Sequence, residues 1–156
     1  LRATLSASRE PSHSLAAEFA RVSDYLQLMQ VRMGERLQTL LDLPDELAGA
    51  SVPPLLLQPL IENAIKHGLE PHVRGGRIEV RAAQLGLELR LTVRDTGAGL
   101  SPLAADGGTR FGLEQVRKRL ATIYGATAAL DLAAAADAEG GTVATVRIPL
   151  RTEAPR

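Results

Sequence analysis

Apolar residues recur at Leu15, Phe19, Val22, Leu26, Met29 and Met33, spaced 4, 3, 4, 3 and 4. That is a helical period, with Ser14 placed to cap its start and Gly34 to stop it, so a helix is predicted from Ser14 to about Met33. The stripe also has the heptad spacing of a dimer seam, but it is under three heptads long. Docking onto the chain's own sheet is the stronger reading. A second helical stretch runs from Leu55 to Leu69, with Leu56, Leu60, Ile61, Ala64 and Ile65 on one side. Pro53 and Pro54 suit its start and Gly68 its end. A third is predicted from Gly112 to Tyr124, on Leu113, Val116, Leu120 and Ile123, with Gly125 as its cap.

Between the helices the period changes to two. Arg77 to Ala83 puts Ile78, Val80 and Ala82 on one face. Leu87 to Val93 puts Leu87, Leu89, Leu91 and Val93 inward, with Glu88, Arg90, Thr92 and Arg94 outward. Gly86 between them marks a hairpin, and the polar outer faces predict a sheet covered on one side only. Arg36 to Leu43 is read as a strand, although its apolar run also fits a helix, and Pro44 to Ser51 as a turn. Ala128 to Ala134 and Thr142 to Leu150 are two last strands joined through Asp137 to Gly141. The fold class implied is an α/β two-layer sandwich, a mixed and mostly antiparallel sheet with helices on one face.

Composition narrows the chemistry. The 156 residues suffice for one domain with a real core, 45% are apolar and 23% charged, and the formal net charge is zero. A neutral chain offers no electrostatic case for direct nucleic-acid binding or an anionic membrane. The absence of cysteine excludes disulfides and thiolate metal sites. No apolar run is long enough to cross a bilayer. The expected organisation is a lead-in over 1–13, the domain over 14–150 and a tail over 151–156. A chain beginning at Leu1 rather than Met reads as a piece of something longer.

Three polar groupings carry candidate chemistry. Glu62, Asn63, Lys66 and His67 occupy adjacent positions on the polar side of the central helix, a set able to hold a hydrated metal ion and a polyphosphate. By themselves they better describe a solvated helix face. Asp95 stands at a strand end, where a carboxylate can accept a hydrogen bond from an exocyclic amine. Gly97 and Gly99 then allow close backbone approach to a flat ligand, or simply a tight turn. Gly107-Gly108-Thr109-Arg110-Phe111-Gly112-Leu113 opens a helix, and helix N-termini with glycines bind anions. Arg110, Arg117, Lys118 and Arg119 add cations, though a glycine-rich loop before a basic amphipathic helix has the same composition.

In this fixed order the three motifs, with the late GGTVATVRIPL strand, resemble the ATP-binding catalytic domain of sensor histidine kinases. The wider superfamily also contains DNA gyrase, Hsp90 and MutL. ENAIKHG resembles the N box, DTGAG the G1 box and GTRFGL the G2 box. PPLLLQPLIENAIKHG, from Pro53 to Gly68, is similar to the hallmark of the LytS-like branch, and YLQLMQVRMGERLQ and GLEQVRKRLATIYG fit the same branch. The resemblance covers about Leu15 to Leu150. It implies ATP and Mg²⁺ as cofactors, with Asn63 as the Mg²⁺ ligand. Glu62 would orient a water or polarise the nucleophile, and Lys66 and His67 would lie by the phosphates. Asp95 would bind the adenine amino group with Gly97 and Gly99 beside the base. Gly108, Thr109, Gly112 and Leu113 would form the phosphate-side hinge of a short lid, expected to be mobile over 100–111. Arg110, which departs from the family pattern, either puts a guanidinium on the γ-phosphate or makes the lid fold differently.

The implied function is γ-phosphoryl transfer to a histidine on an adjoining dimerisation domain, in a homodimeric parent, and onward to a LytR-like response regulator. The implied location of this stretch is cytoplasmic, with membrane attachment of the parent left open. Two positions depart from the pattern. Pro59 stands four residues before Asn63, where many members carry an acid or an asparagine, and Arg110 stands where the G2 box commonly has glycine. The chain has three histidines, His13, His67 and His72; none lies in a motif resembling PHFLFN, the branch's phosphoacceptor segment, and His13 and His72 read as surface residues. The alternatives are a nucleotide-binding regulatory module or degenerate kinase domain without phosphotransfer, a superfamily ATPase that drives clamp closure, and an interaction domain built on the Leu15–Met33 stripe.

Overall fold

In the computed structural model, residues 11–97 and 107–152 are described. Seven strands and three α-helices follow in the order β1 (His13–Ser14), α1 (Leu15–Met33), β2 (Leu37–Asp42), β3 (Ser51–Val52), α2 (Gln58–Asn63), β4 (Gly76–Leu85), β5 (Glu88–Asp95), α3 (Gly107–Tyr124), β6 (Ala129–Ala134) and β7 (Thr142–Pro149). The main sheet has the order β2-β4-β5-β7-β6; β2 runs parallel to β4 and the other neighbours are antiparallel. A separate two-stranded ribbon pairs His13 with Val52 and Ser14 with Ser51. The mixed, mostly antiparallel sheet is the one the alternation predicts.

The two faces of that sheet differ as the period-two pattern requires. Ile78, Val80, Ala82, Leu89, Leu91, Val93, Val146 and Ile148 are buried against the helices. The other face carries ion pairs: Arg77 with Glu79 and Glu139, Arg81 with Asp42, Arg94 with Asp137, and Arg147 with Asp131. Leu87 is the exception to the expected pattern. It is 89% exposed, because it belongs to the tight turn at Gly86 (φ 60°) and not to the strand.

Helix α1 forms as its stripe predicts. The Ser14 hydroxyl accepts from the Ala17 amide, Gly34 ends the helix at φ 63°, and Leu15, Phe19, Val22, Leu26 and Met33 are buried. The stripe is therefore core, not a seam. α3 begins at Gly107, five residues before the expected start at Gly112. Glycine weakens a helix interior by about 1 kcal/mol but does not forbid it. Gly108, Thr109 and Arg110 accordingly lie within the helix, and the expected lid hinge there is helical backbone. The expectation of a mobile lid over 100–111 falls largely on residues outside those described. Among the described residues no helix is long and apolar enough to cross a membrane.

The central stretch departs most from expectation. It becomes helical only at Gln58, with Pro59 in the first turn, where a missing N–H costs nothing. Ahead of it Leu55 takes φ 61°, a left-handed conformation that ends any helix through Pro54 and Leu55. After Asn63 the helix widens into a π-helical turn over Ala64–Leu69, closed by the Glu70 amide on the Ile65 carbonyl at 2.7 Å. Single π turns inside α-helices are concentrated at functional sites.

Candidate functional site

Strand register explains how Asp95 reaches the interior. It continues the Leu89, Leu91, Val93 series, so its side chain projects to the helix-covered face. There it is 5% exposed. Its Oδ1 accepts from the Gly97 amide at 3.0 Å. Burial pushes its carboxyl above the ordinary range, opposed by backbone donation from Gly97 and Thr142 and by the positive charge of Arg94.

The π turn brings Gly68 against this carboxylate. A Cβ on Gly68 would lie 2.6 Å from Asp95 Oδ1, and a Cβ on Gly97 would lie 1.6 Å from the Gly68 carbonyl oxygen. Both positions therefore require glycine for close approach, apart from any freedom of φ. Thr96 locks the turn from the other side, its hydroxyl accepting from the Arg77 amide at 2.9 Å.

Asp95 shares a crevice with Leu60, Asn63, Ala64, Val93, Leu113, Leu132, Thr142 and Ala144. Its floor is sheet, its sides are α2 and α3, and its polar groups are one buried carboxylate, one amide and one hydroxyl. The open space is about 20 Å³, room for about one water. A flat base needs several times that space, so the crevice as it stands is too small to admit one.

Of the residues singled out in the sequence, Asn63, Asp95 and Leu113 meet in this crevice, and Gly97 donates its amide to Asp95. Glu62 does not line it. Its carboxylate is exposed and accepts from the Gln58 amide at 3.1 Å. Lys66 and His67 ride on the π turn, Lys66 exposed and His67 half-buried. Gly112 lines a different groove, between α3 and the Leu55–Pro59 segment. Gly108, Thr109 and Arg110 are placed by their backbone in the first turn of α3, and Gly99 lies outside the described residues.

Helix α1 holds both ends of the Leu55–Glu70 segment, which the sequence did not reveal. Glu18 is fully buried and accepts from the Leu55 amide at 3.1 Å, the Leu57 amide at 2.8 Å and His13 Nε2 at 2.7 Å. His13 is thus a half-buried partner of a core carboxylate and not the surface residue expected. At the other end Arg32 pairs with Glu70 at 2.8 Å, and the Arg36 guanidinium donates to the carbonyls of Glu70, His72 and Val73. Acid at the start and cations at the end match the helix dipole. Tyr25, between them on α1, has its phenol pushed up by burial and by the charges of Glu62 and Glu70. The readable signal for Glu18 was a charged residue beside the apolar stripe at Leu15 and Phe19; nothing in the sequence named its partners.

Residues 54–152 match the family described as histidine kinase-, DNA gyrase B-, and HSP90-like ATPase. The chain is 33% identical over 132 residues to the sensor histidine kinase YpdA of Escherichia coli, covering 80% of this chain and 23% of that protein. It is 33% identical over 161 residues to the sensor protein LytS of Staphylococcus haemolyticus, covering 97% of this chain and 27% of that one. The chain thus spans about a quarter of the length of these curated relatives. The catalytic domain of the histidine kinase ThkA superposes with a TM-score of 0.66 at 17% identity, over 92% of this chain and 98% of that one. That overlap is of fold, and it extends across an entire catalytic domain. With the matched family spanning both the π turn and Asp95, the chain belongs to the histidine kinase-, DNA gyrase B- and HSP90-like ATPases, as an ATP-binding domain of the sensor histidine kinase type.

Proposed function

We propose that this domain binds Mg²⁺-ATP and transfers the γ-phosphoryl group to a histidine on an adjoining dimerisation domain of a homodimeric kinase. From there the group passes to an aspartate of a response regulator, of the LytR-like DNA-binding type. The observation that carries the reading is the convergence of Asp95, Asn63, Thr142 and apolar walls on one crevice between sheet and helices.

The residues present suit a nucleotide. A buried carboxylate held by backbone donors keeps acceptor capacity for an exocyclic amine, and apolar side chains flank it. Asp95 would fix the base, with Gly97 and Gly99 beside it. Asn63 lines the same crevice and would serve the phosphate side, with Lys66 and His67, which follow it on the π turn, lying by the phosphates. Gly108, Thr109, Arg110 and Gly112 would face the phosphates from the start of α3, with Leu113 against the base.

Among the described residues no group of three or more His, Asp or Glu side chains could hold a metal ion by itself. That suits Mg²⁺, which is commonly bound by one or two protein oxygens together with substrate phosphates. The Asn63 amide oxygen would be the protein's contribution. When bound, the ion neutralises charge on the phosphates during transfer.

Calorimetric titration of ATP, with and without Mg²⁺, tests this. Wild type should bind ATP, Asp95→Asn should weaken binding about a hundredfold, and Asn63→Asp should weaken the Mg²⁺ dependence. No binding by wild type at millimolar ATP would sink the reading. A second reading, ATP binding without transfer, is favoured by one observation: Glu62, the acid available beside Asn63, is bonded to Gln58 and outside the crevice. Following labelled phosphate onto a restored histidine-bearing domain separates the two.

A further inference from the structure

We infer that Glu18 is a positioning residue for the phosphate side of the site. It acts on Asn63 through the backbone of the Leu55–Leu57 segment, and the inference rests on the role proposed for Asn63. Helix α2 has only six residues and no side-chain cap of its own at Leu57, and Pro59 in its first turn donates nothing. Its start is therefore held from outside. The Glu18 carboxylate, fully buried and 39 positions distant in sequence, accepts the Leu57 amide at 2.8 Å and the Leu55 amide at 3.1 Å. This is a helix cap supplied by another helix, with its negative charge at the positive end of the dipole.

The same carboxylate holds Leu55 in its left-handed conformation at φ 61°, which a leucine does not keep unaided. Asn63 closes the α-helical part, before the helix widens into the π turn, so an error in where the helix begins is carried to its amide. Asp95 is mounted differently. It stands on β5 in the middle of the sheet, paired to Ile78 and Thr142 in neighbouring strands. Loosening Glu18 should disturb Asn63 and leave Asp95 in place.

The experiment compares wild type, Glu18→Gln and the double variant Glu18→Gln, Leu55→Gly in the full 156-residue chain. Each is titrated with Mg²⁺-ATP and with Mg²⁺-free ADP, and thermal melts at the same temperature report folding. Glu18→Gln should weaken Mg²⁺-ATP about tenfold, within the usual range of coupling between sites, and leave Mg²⁺-free ADP unchanged. Leu55→Gly, which adopts positive φ without strain, should recover part of the loss. If Glu18→Gln is unfolded at the working temperature, Glu18→Asp takes its place with the same expectations. Equal loss for both ligands, or no loss for either, overturns the inference while Asn63 keeps its role. A wild type whose ATP affinity ignores Mg²⁺ overturns both.

Discussion

Glu18 and Asp95 are two carboxylates sealed in one domain, 0% and 5% exposed, with opposite uses. Glu18 has its acceptors occupied by two backbone amides and an imidazole. Asp95 is bonded by the Gly97 amide on Oδ1, with Thr142 adding support, and it lines an apolar crevice beside two helices. The first is a structural cap whose donors are all on this chain. The second bears a desolvation cost that its neighbours only partly offset, as its raised carboxyl shows. A buried acid with complete partners holds a fold. Asp95 keeps part of its desolvation cost, as a carboxylate that takes a ligand would.

The comparison breaks hardest at Glu18. Glu18→Leu keeps an apolar volume but leaves the buried Leu57 amide and the part-buried Leu55 amide without their acceptor. It should cost about 3 kcal/mol, read as a urea-midpoint shift at constant slope. Asp95→Asn should do the reverse. ATP affinity falls about a hundredfold in calorimetry, as for loss of a charge-assisted hydrogen bond in a buried site. Its stability at neutral pH should not fall, because the substitution removes a desolvated charge. An Asp95→Asn chain that melts well below wild type would erase the distinction.

Gly68→Ala sharpens the contrast at smaller scale. Its Cβ would press on Asp95 Oδ1, so ATP affinity should fall about tenfold while Glu18's contacts and the urea slope stay as they are. The smallest effect is in pH. Asp95 has a folded pKa raised above its ordinary 3.8, so the folded state takes up its proton first as pH falls. Its penalty to stability is fully present above the folded pKa and relieved as pH drops from there towards 3.8. An amine donor selects the ionised form, so ATP affinity should weaken several-fold across the same interval in wild type. Asp95→Asn, with no carboxyl there to titrate, should lack this component.

Most of the secondary structure was legible because burial on one face writes a period of two or 3.6 into the chain. The α1 stripe, the β4–β5 hairpin and the β6–β7 pair came out as read. Leu87 was misplaced because alternation continues through a turn residue that never joins the ladder. The early start of α3 escaped because glycines at 107 and 108 read as a loop although a helix tolerates them.

The sequence by itself determined the fold class, the family motifs and three of the residues that meet in the crevice, Asn63, Asp95 and Leu113, since periodicity and motif order are local properties. Tertiary structure alone decided how those groups are mounted. The π turn that sets Gly68 against Asp95, the left-handed Leu55 and the Glu18 cap all depend on contacts between distant residues. So does the Arg36 hold on three carbonyls. A hydrogen bond between residues 39 positions apart leaves no period in the chain, and the backbone amides and carbonyls that supply one side of these bonds carry no sequence signature at all.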